Sequence, residues 1–377
     1  MASFIDSLKK VFSFREKGAI LGVDIGSASV KVALIEKVEE KVILRNYGEM
    51  ALGPSAELSV GQATNLPPEK IALALRDLLK ETKISSTRTF IAIPFNASLL
   101  SVIELPDVGQ KELNSMIPIE ARRYIPVPIT EVSLDWWVLP KRSTGKQQSV
   151  AQPSGEQPDK SENKVEVIIA AIHNEVINKF ESIKRDAQLP GGQSHFEIEI
   201  FSTLRAVVGR DLLPILVIDI GAGSTKLALV DEGVVRASHV ISMGGQDITL
   251  GLARSQDIPF AQAEELKRRV GMVGDNEGRD VLAVAELLFS NIMNETLRFV
   301  GSYEHKQGVK IAKIILVGGG SRLLGIEKII TQSFPNVSVE RGDPFARVDA
   351  PEFLAKTLKD IGPNFATALG VALKGLE

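Results

Sequence analysis

The chain carries Asp24-Ile25-Gly26-Ser27-Ala28-Ser29-Val30-Lys31-Val32-Ala33-Leu34 and a close copy of this phrase, which runs from Asp219 to Leu229. The second copy reads Asp-Ile-Gly-Ala-Gly-Ser-Thr-Lys-Leu-Ala-Leu, and seven of the eleven positions are identical. Each copy follows a short apolar run and leads into an alternating one, so each predicts a strand, a tight turn and a second strand. Two such hairpins predict two similar half-molecules that face each other across a cleft.

The turn inside each copy has the composition of a phosphate-binding loop. Small residues leave backbone N–H groups open to an oxyanion, and serine or threonine hydroxyls add donors. A plain turn after a buried strand is the alternative for either copy alone, but the repetition disfavours it. We therefore predict phosphate contacts from Gly26, Ser27, Ala28, Ser29 and Lys31 in the first copy and from Gly221, Ala222, Gly223, Ser224 and Thr225 in the second.

An aspartate opens each copy, and a lysine follows it at the same offset. Asp24 and Asp219 would repel a phosphate, but they suit a hydrated Mg²⁺ ion, which keeps several of its waters. The prediction is a clamp that closes around Mg-ATP, with the metal held by both aspartates through water. Lys31 is expected to reach a phosphate, whereas Lys226 is expected to face solvent, as strand lysines commonly do.

Three further motifs predict contacts with the rest of a nucleotide. Gly244 and Gly245 form a turn that would border the sugar and the phosphates. Glu264 and Lys267 share one helix face and would hydrogen-bond a ribose; an exposed, ion-paired helix face is the alternative. A glycine turn after the strand 313–317 would admit a flat or anionic ligand, although such turns often serve packing only. Its residues are Gly318, Gly319, Gly320 and Ser321.

The composition is that of an ordinary globular protein and excludes several functions. Among 377 residues, 44% are apolar and 24% are charged, enough for two domains or one bilobed unit. The formal net charge of −3 gives no basic excess for binding nucleic acid. The absence of cysteine excludes disulfides and thiol catalysis, and four scattered histidines argue against a zinc site. No apolar run has the length of a membrane span, so a cytoplasmic protein is expected.

The order of patterns predicts an α/β protein in several segments. Residues 1–16 form an amphipathic segment, which is expected to pack on the protein itself or to fray; a helix that lies on a membrane surface or docks on a partner is the alternative. The first core is expected at 17–96, together with 173–210 and 355–377. Residues 97–172 look like an inserted subdomain, with a mobile polar loop at 141–164. The second core is expected at 211–354 and includes a small subdomain at about 249–305.

Together these elements resemble the actin and heat-shock-chaperone ATPase superfamily. Within it the sequence is most similar to the PilM family of type IV pilus assembly proteins, which is related to FtsA. Three stretches carry the likeness to PilM: Ile103 to Pro106, Glu120 to Pro128, and Ser242 to Thr249. The segment Tyr124-Ile125-Pro126 is the most family-specific of them, whereas the two hairpins mark only the superfamily.

The resemblance implies an actin-like ATPase fold, with two lobes, duplicated cores and an inserted subdomain of the FtsA and PilM type. It implies ATP and Mg²⁺ in the central cleft. It also implies that the protein binds the short cytoplasmic N-terminal peptide of a PilN-like inner-membrane protein, in a groove near Arg122, Tyr124 and Pro126. Such a protein would link that complex to the pilus motor ATPases and lie at the inner face of the inner membrane, peripheral to it through its partners.

Other functions of the same fold remain open on the sequence alone. They are a sugar or small-acid kinase and a polymer-forming division protein like FtsA. The chain stops soon after Gly370, so we expect no membrane-binding tail of the FtsA kind. No catalytic residue is identified, because Glu197, Glu199 and Ser202 are equal candidates for positioning water. We therefore predict ATP binding with hydrolysis slow or absent.

Overall fold

The computed structural model describes residues 18–84, 88–141, 164–191, 194–273 and 279–377. The prediction for residues 1–16 lies outside this described part, as does that for the loop 141–164 except for its two end residues. Strands are β1 Ile20–Ile25, β2 Ser29–Val38, β3 Lys41–Ala51, β4 Arg88–Ile93, β5 Ser98–Pro106, β6 Val132–Val138, β7 Lys164–His173, β8 His195–Ile198, β9 Ile215–Ile220, β10 Thr225–Asp231, β11 Val234–Ile241, β12 Lys313–Val317 and β13 Ser338–Arg341.

Ten α-helices accompany these strands in the described residues. They are α1 Pro68–Thr82, α2 Gln110–Ala121, α3 Asn174–Asp186, α4 Glu199–Val207, α5 Gly245–Gln256, α6 Phe260–Val270, α7 Arg279–Gln307, α8 Ile326–Ser333, α9 Ala355–Ile361 and α10 Ala366–Lys374. Within the same ranges, no helix combines the length and the apolar character needed to cross a bilayer.

Two five-stranded sheets have the same topology. The first has the order β3-β2-β1-β4-β8 and the second the order β11-β10-β9-β12-β13. In both, the repeated phrase forms an antiparallel hairpin, β1–β2 or β9–β10, and the first strand of the hairpin pairs in parallel with the next strand along, β4 or β12. The duplication read from eleven residues therefore extends to a whole sheet in each half.

Helices cover the sheets on the faces that the apolar residues dictate. On the first sheet, Leu75 of α1 and Ile183 of α3 join one buried cluster with Leu21 and Val23 of β1. On its opposite face α10 packs so closely that a Cβ on Gly22 would lie 2.1 Å from the Ala368 carbonyl oxygen. Glycine is therefore required at residue 22, where β1 contacts α10.

A third sheet, with the order β5-β7-β6, stands apart in sequence between β4 and α3. Helix α2 packs on it through Leu113 and Ile117, which join a buried cluster with Val167 and Ile169 of β7. Strands β5 and β6 are its edges, and β7 pairs antiparallel with both. This sheet and α2 form the inserted unit, and the end of α2 carries the segment Arg122 to Pro126.

One expected boundary is wrong at the site. The alternating Phe196-Glu197-Ile198-Glu199-Ile200 favours a strand through residue 200, but β8 ends at Ile198 and α4 begins at Glu199. The Glu199 carboxylate instead accepts a hydrogen bond from the Phe95 backbone N–H at 2.6 Å. A carboxylate in the first turn also suits the helix dipole, so the tertiary contact overrides the strand pattern.

Candidate functional site

A cavity of about 660 Å³ lies between the two lobes, with one repeated hairpin on each side. The hairpin turns approach closely, because a Cβ placed on Gly223 would lie 3.6 Å from the Ser27 hydroxyl oxygen. Both turns are closed by their own backbone, through Gly26 N–H to the Ser29 carbonyl and Gly221 N–H to the Ser224 carbonyl. The cleft therefore has two small-residue turns facing a common space.

Nearly all the residues predicted from the sequence line this cavity. Thr225 does not, since its side chain is fully buried and its hydroxyl donates to the Met243 carbonyl. Ser321 is likewise buried, and its hydroxyl donates to the Gly318 carbonyl. The predicted residues that line the cavity are Asp24, Gly26, Ser27, Ala28, Ser29, Lys31, Asp219, Gly221, Ala222, Gly223, Ser224, Gly244, Gly245, Glu264, Lys267, Gly318, Gly319 and Gly320.

In the first hairpin, Lys31 lies directly across the β1–β2 ladder from Asp24. Its ammonium group is 4.0 Å from the Asp24 carboxylate and 3.6 Å from that of Glu49 on β3. It donates to the Ser29 hydroxyl at 2.8 Å. Burial raises the pKa of the Asp24 carboxyl, and the nearby lysines Lys31 and Lys226 only partly offset it.

In the second hairpin, Lys226 holds the equivalent place opposite Asp219. Its ammonium group lies 3.5 Å from the Asp219 carboxylate and 3.3 Å from that of Glu199. Burial alone lowers the pKa of Lys226, but Asp219, Glu199 and Asp24 outweigh it, and the pKa lies above its ordinary value. The expectation that Lys226 faces solvent is therefore wrong: three carboxylates draw its charge into the cleft.

The structure separates the three candidates for positioning water. Glu197 is engaged elsewhere, because its carboxylate accepts two hydrogen bonds from Arg205 and one from the Ser202 hydroxyl. Only Glu199 among the three lines the cavity. Burial raises the pKa of the Glu199 carboxyl, with Lys226 acting in the opposite direction.

The glycine turn after β12 forms another wall of the cleft. Gly318 has φ of +79°, and a Cβ there would lie 2.3 Å from the Asp219 carboxylate. A Cβ on Gly320 would meet the Ile220 side chain at 2.2 Å. The Gly318 N–H donates to the Pro363 carbonyl at 2.9 Å. Bare backbone is therefore required where this turn passes the end of β9.

The Gly244-Gly245 turn begins α5 against the second hairpin. The N–H groups of Gly245 and Gln246 donate to the carbonyls of Gly221 and Ala222, both at 2.9 Å. Asp247 accepts a hydrogen bond from the Gly244 N–H at 2.7 Å. The first turn of α5 and the hairpin are thus fixed to each other, with the positive end of the helix beside the cavity.

Glu264 and Lys267 form a closed polar network rather than an exposed helix face. The Lys267 ammonium lies 2.6 Å from the Glu264 carboxylate and also donates to Thr249 and to the Gly245 carbonyl. Burial favours the protonated acid, but Lys267, Thr249 and Arg268 outweigh burial and hold the pKa of Glu264 below its ordinary value. This network presents charged donors and acceptors to one side of the cavity.

The cavity also has an apolar lining, which would suit a flat base. It consists of Ile248, Phe289, Ile292, Leu323, Leu324 and Ile326. Sequence reasoning did not select Gln246, Glu49 or Asn364 as lining residues. The Oδ1 atom of Asn364 is buried and has no hydrogen-bond partner among the residues that the structure describes. Gln246 directly follows the predicted Gly244-Gly245 turn. Of these three residues, it is the one whose position next to a predicted motif could have indicated a place in the cavity.

The charges of the cleft determine which anion it accepts. Four carboxylates line it at the hairpins, those of Asp24, Glu49, Glu199 and Asp219, against the two ammonium groups of Lys31 and Lys226. A bare triphosphate would therefore be repelled, whereas a triphosphate carrying a divalent cation would not. The donor set fits Mg²⁺ with a phosphate chain rather than a free anion.

The predicted partner residues lie away from this cavity, at the end of α2. Arg122, Tyr124 and Pro126 are all exposed, and 46% of Tyr124 is accessible. Ile119, one turn earlier, is 61% exposed. The end of α2 thus presents an apolar and basic surface that none of the described residues covers.

Two duplicated sheets with paired hairpins at one cleft define a protein of the actin-like ATPase fold. The family model for the type IV pilus assembly protein PilM matches residues 22–376, and the chain belongs to this family. It is 28% identical to a chain of a PilM-PilN type IV pilus biogenesis complex, with a TM-score of 0.75 over 95% of this chain and 98% of that one.

Two further proteins are similar to this chain. The cell division protein FtsA of Neisseria meningitidis serogroup B is 28% identical over 93% of this chain and 88% of its own length. The structure of MreB 5 of Spiroplasma citri bound to AMPPNP has 13% identity and a TM-score of 0.51, with 96% of each chain covered. The latter likeness concerns the fold alone.

Proposed function

We propose that this protein is an ATP-binding, actin-like adaptor of type IV pilus machinery. It would act at the cytoplasmic face of the inner membrane and bind the N-terminal peptide of a PilN-like membrane protein. Through that complex it would be linked to the pilus motor ATPases. The observation that carries the nucleotide half of the proposal is the pair of hairpins that line one cavity from opposite lobes.

In this proposal Mg-ATP lies with its phosphates between the hairpin turns. The N–H groups and hydroxyls of the two turns bind the phosphate oxygens, and Lys31 adds a charge-assisted contact. Asp24 and Asp219 hold Mg²⁺ through water, and the ion supplies the positive charge that the cleft otherwise lacks. Glu264 and Lys267 bind the ribose, and the apolar lining covers the base.

We also propose that ATP turnover is slow or absent. Glu199 is the only one of the three candidate residues that lines the cavity, yet it is already engaged by the Lys226 ammonium and the Phe95 N–H. A carboxylate held by two donors has fewer lone pairs left with which to orient water. Nucleotide would therefore act as a bound switch rather than as a substrate consumed at speed.

The partner half of the proposal concerns the surface formed by Ile119, Arg122, Tyr124 and Pro126. Support comes from its exposed apolar area and from the PilM-PilN complex, to whose chain this one is similar. An exposed aromatic side chain flanked by arginine is typical of a binding hot spot. The occupant would be a short segment of a PilN-like protein.

The test is the affinity of a fluorescent peptide that carries the cytoplasmic N-terminal segment of the PilN-like protein from the same genome. Tyr124→Ala is expected to weaken binding about tenfold or more, since hot-spot aromatics contribute about 2 kcal/mol or more. Tyr47→Phe, which keeps its ring between Phe345 and Phe365, is the control. Equal affinity of the wild type and Tyr124→Ala would reject this surface. Equal affinity for the peptide with and without Mg-ATP would reject the proposal that the nucleotide acts as a switch, but it would leave the proposed adaptor role in place.

A further inference from the structure

The segment between β3 and α1 crosses the mouth of the cleft. We call residues 57–66 the strap. On the side of the first lobe, both the N–H and the hydroxyl of Thr64 donate to the Ser27 carbonyl, at 2.8 and 3.0 Å. On the side of the second lobe, the Ala63 N–H donates to the Gln246 Oε1 atom at 3.0 Å. One short segment therefore joins the two hairpin regions directly.

The strap also forms part of the cavity wall. Val60 and Gly61 line the cavity, and 58% of Val60 is exposed. Gly61 has φ of +87°, and a Cβ there would lie 3.5 Å from the Glu264 carboxylate and 3.7 Å from the Arg268 guanidinium. The middle of the strap thus rests on the network that we assign to the ribose.

The two ends of the strap are held more firmly than its middle. At one end the Leu58 N–H donates to the Gly53 carbonyl at 2.9 Å, and at the other Leu66 is buried against the core of the first lobe. Across the cleft, and among the residues that the structure describes, the Ala63–Gln246 bond is the one hydrogen bond between the strap and the second lobe. The middle of the strap can therefore move away from the second lobe while both of its ends stay folded. This movement breaks one hydrogen bond and a few contacts.

Gln246 connects the strap to the second hairpin. Its N–H donates to the Ala222 carbonyl at 2.9 Å, and its Nε2 atom is 3.7 Å from the position of a Cβ on Gly223. A phosphate bound at that hairpin would therefore lie beside the side chain that holds the strap. Occupancy of the cleft and the position of the strap are then coupled through one residue.

We propose that the strap is a gate over the nucleotide cleft, with Gln246 as its latch. The gate opens when the Ala63–Gln246 bond breaks and the lobes part, and it closes over bound Mg-ATP. This inference rests on the ATP-binding function proposed above, and it assigns the exchange step of that function to the strap. The occupant is a nucleoside triphosphate with its divalent cation.

The chain offers a direct test because it contains no cysteine. Ala63→Cys with Gly223→Cys places two Cβ atoms about 3.5 Å apart, at the short end of the range that a disulfide spans. The oxidised pair fixes the strap to the second hairpin, and reduction releases it in the same molecules. Each single variant controls for the substitution itself.

The probe is the fluorescent N-methylanthraniloyl derivative of ATP with Mg²⁺, followed by stopped flow. A closed gate slows both uptake by the empty oxidised protein and release from protein loaded before oxidation, by about tenfold or more, because a covalent link prevents lid opening. Reduction restores both rates. Equal rates in the oxidised and reduced protein would overturn the gate, and so would failure of the pair to form a disulfide.

A second variant tests the latch without a covalent bond. Gln246→Ala removes one hydrogen bond, so release of the probe is expected to become about two- to tenfold faster. Gln262→Ala, an exposed glutamine on α6 outside the cavity, is the matched control. An unchanged release rate in Gln246→Ala would reject Gln246 as the latch. If the wild type takes up no probe, both the proposed ATP binding and the proposed gate are rejected. If it takes up the probe but the rates of the cysteine pair are the same when oxidised and reduced, only the gate is rejected.

Discussion

Asp24 faces Lys31 and Asp219 faces Lys226 at equivalent positions of the two sheets. Each lysine also has a second carboxylate nearby, and this residue differs between the two halves. It is Glu49 on the adjacent strand for Lys31, but Glu199 at the start of α4 for Lys226. A repeat in the sequence thus fixes the backbone of both hairpins, while residues outside the repeat make the two halves chemically unequal. Both lysines are paired with carboxylates, and in the proposed function only Lys31 binds a phosphate.

Gly318 provides the first prediction at the residue scale. Gly318→Ala requires a left-handed backbone in alanine and places a Cβ against Asp219, so it should lower the free energy of unfolding by about 2–4 kcal/mol. Denaturant unfolding measures this loss. Gly301→Ala is the control, since Gly301 is an exposed residue of α7 with open space around it, and the substitution should stabilise by about 0.5–1 kcal/mol. A Gly318→Ala protein as stable as the wild type would show that the turn adapts.

Glu264 provides a prediction with a pH dependence. Its pKa in the folded protein lies below the ordinary value of 4.5, so the ionised group adds stability above about pH 4.5. That contribution is lost as the pH falls through the lowered pKa. Glu264→Gln should therefore cost about 1–3 kcal/mol at neutral pH, and this difference should shrink under acid conditions.

Unfolding free energies between pH 3 and pH 8 would measure this difference, with Glu265→Gln as the control because Glu265 is the exposed neighbour on the same helix. A difference between Glu264→Gln and the wild type that stays constant with pH would contradict the assigned pKa direction.

At the scale of elements, the sequence is informative where a segment carries its own signals. Helix α1, Pro68–Thr82, can be predicted from the sequence alone, because proline at its first position and an amphipathic pattern mark it locally. The four-residue strand β13 was not predicted, since it is defined by pairing with β12 rather than by pattern. Glu49 and Asn364 were missed as lining residues for the same reason: distant segments bring them to the cleft.

The docking of the inserted unit gives a prediction about elements. Arg236 on β11 is buried, and it donates to the Glu166 carboxylate of β7 at 2.6 Å and to the Pro140 carbonyl at 3.2 Å. Arg236→Met leaves Glu166 without this partner and should cost about 3 kcal/mol. The substitution should also accelerate the hydrogen exchange of backbone amides more in β5 and β7 than in the rest of the protein.

Arg254→Met, at an exposed position of α5, is the matched control for Arg236→Met. Uniformly faster exchange throughout the protein would mean that Arg236 supports global stability and does not hold the inserted unit in particular.

At the scale of the whole molecule, the cleft walls belong to different lobes, so any ligand that binds both walls favours closure. The strap leads into α1, α1 packs on α3 through Leu78 and Ile183, and Asn174 at the start of α3 donates to the Thr130 carbonyl of the inserted unit. A continuous packed route therefore joins the cleft to the neighbourhood of the partner surface. This arrangement gives the adaptor hypothesis a physical path for its switch.

The central claim is that the two hairpins together bind Mg-ATP, and calorimetric titration tests it most directly. Mg-ATP is titrated into the wild type and into Asp24→Asn with Asp219→Asn, which keeps the shape of both side chains. We predict micromolar binding by the wild type, about −8 kcal/mol, that is abolished by EDTA and lost in the double variant. Equal binding by both proteins, or no binding by the wild type, would contradict the account.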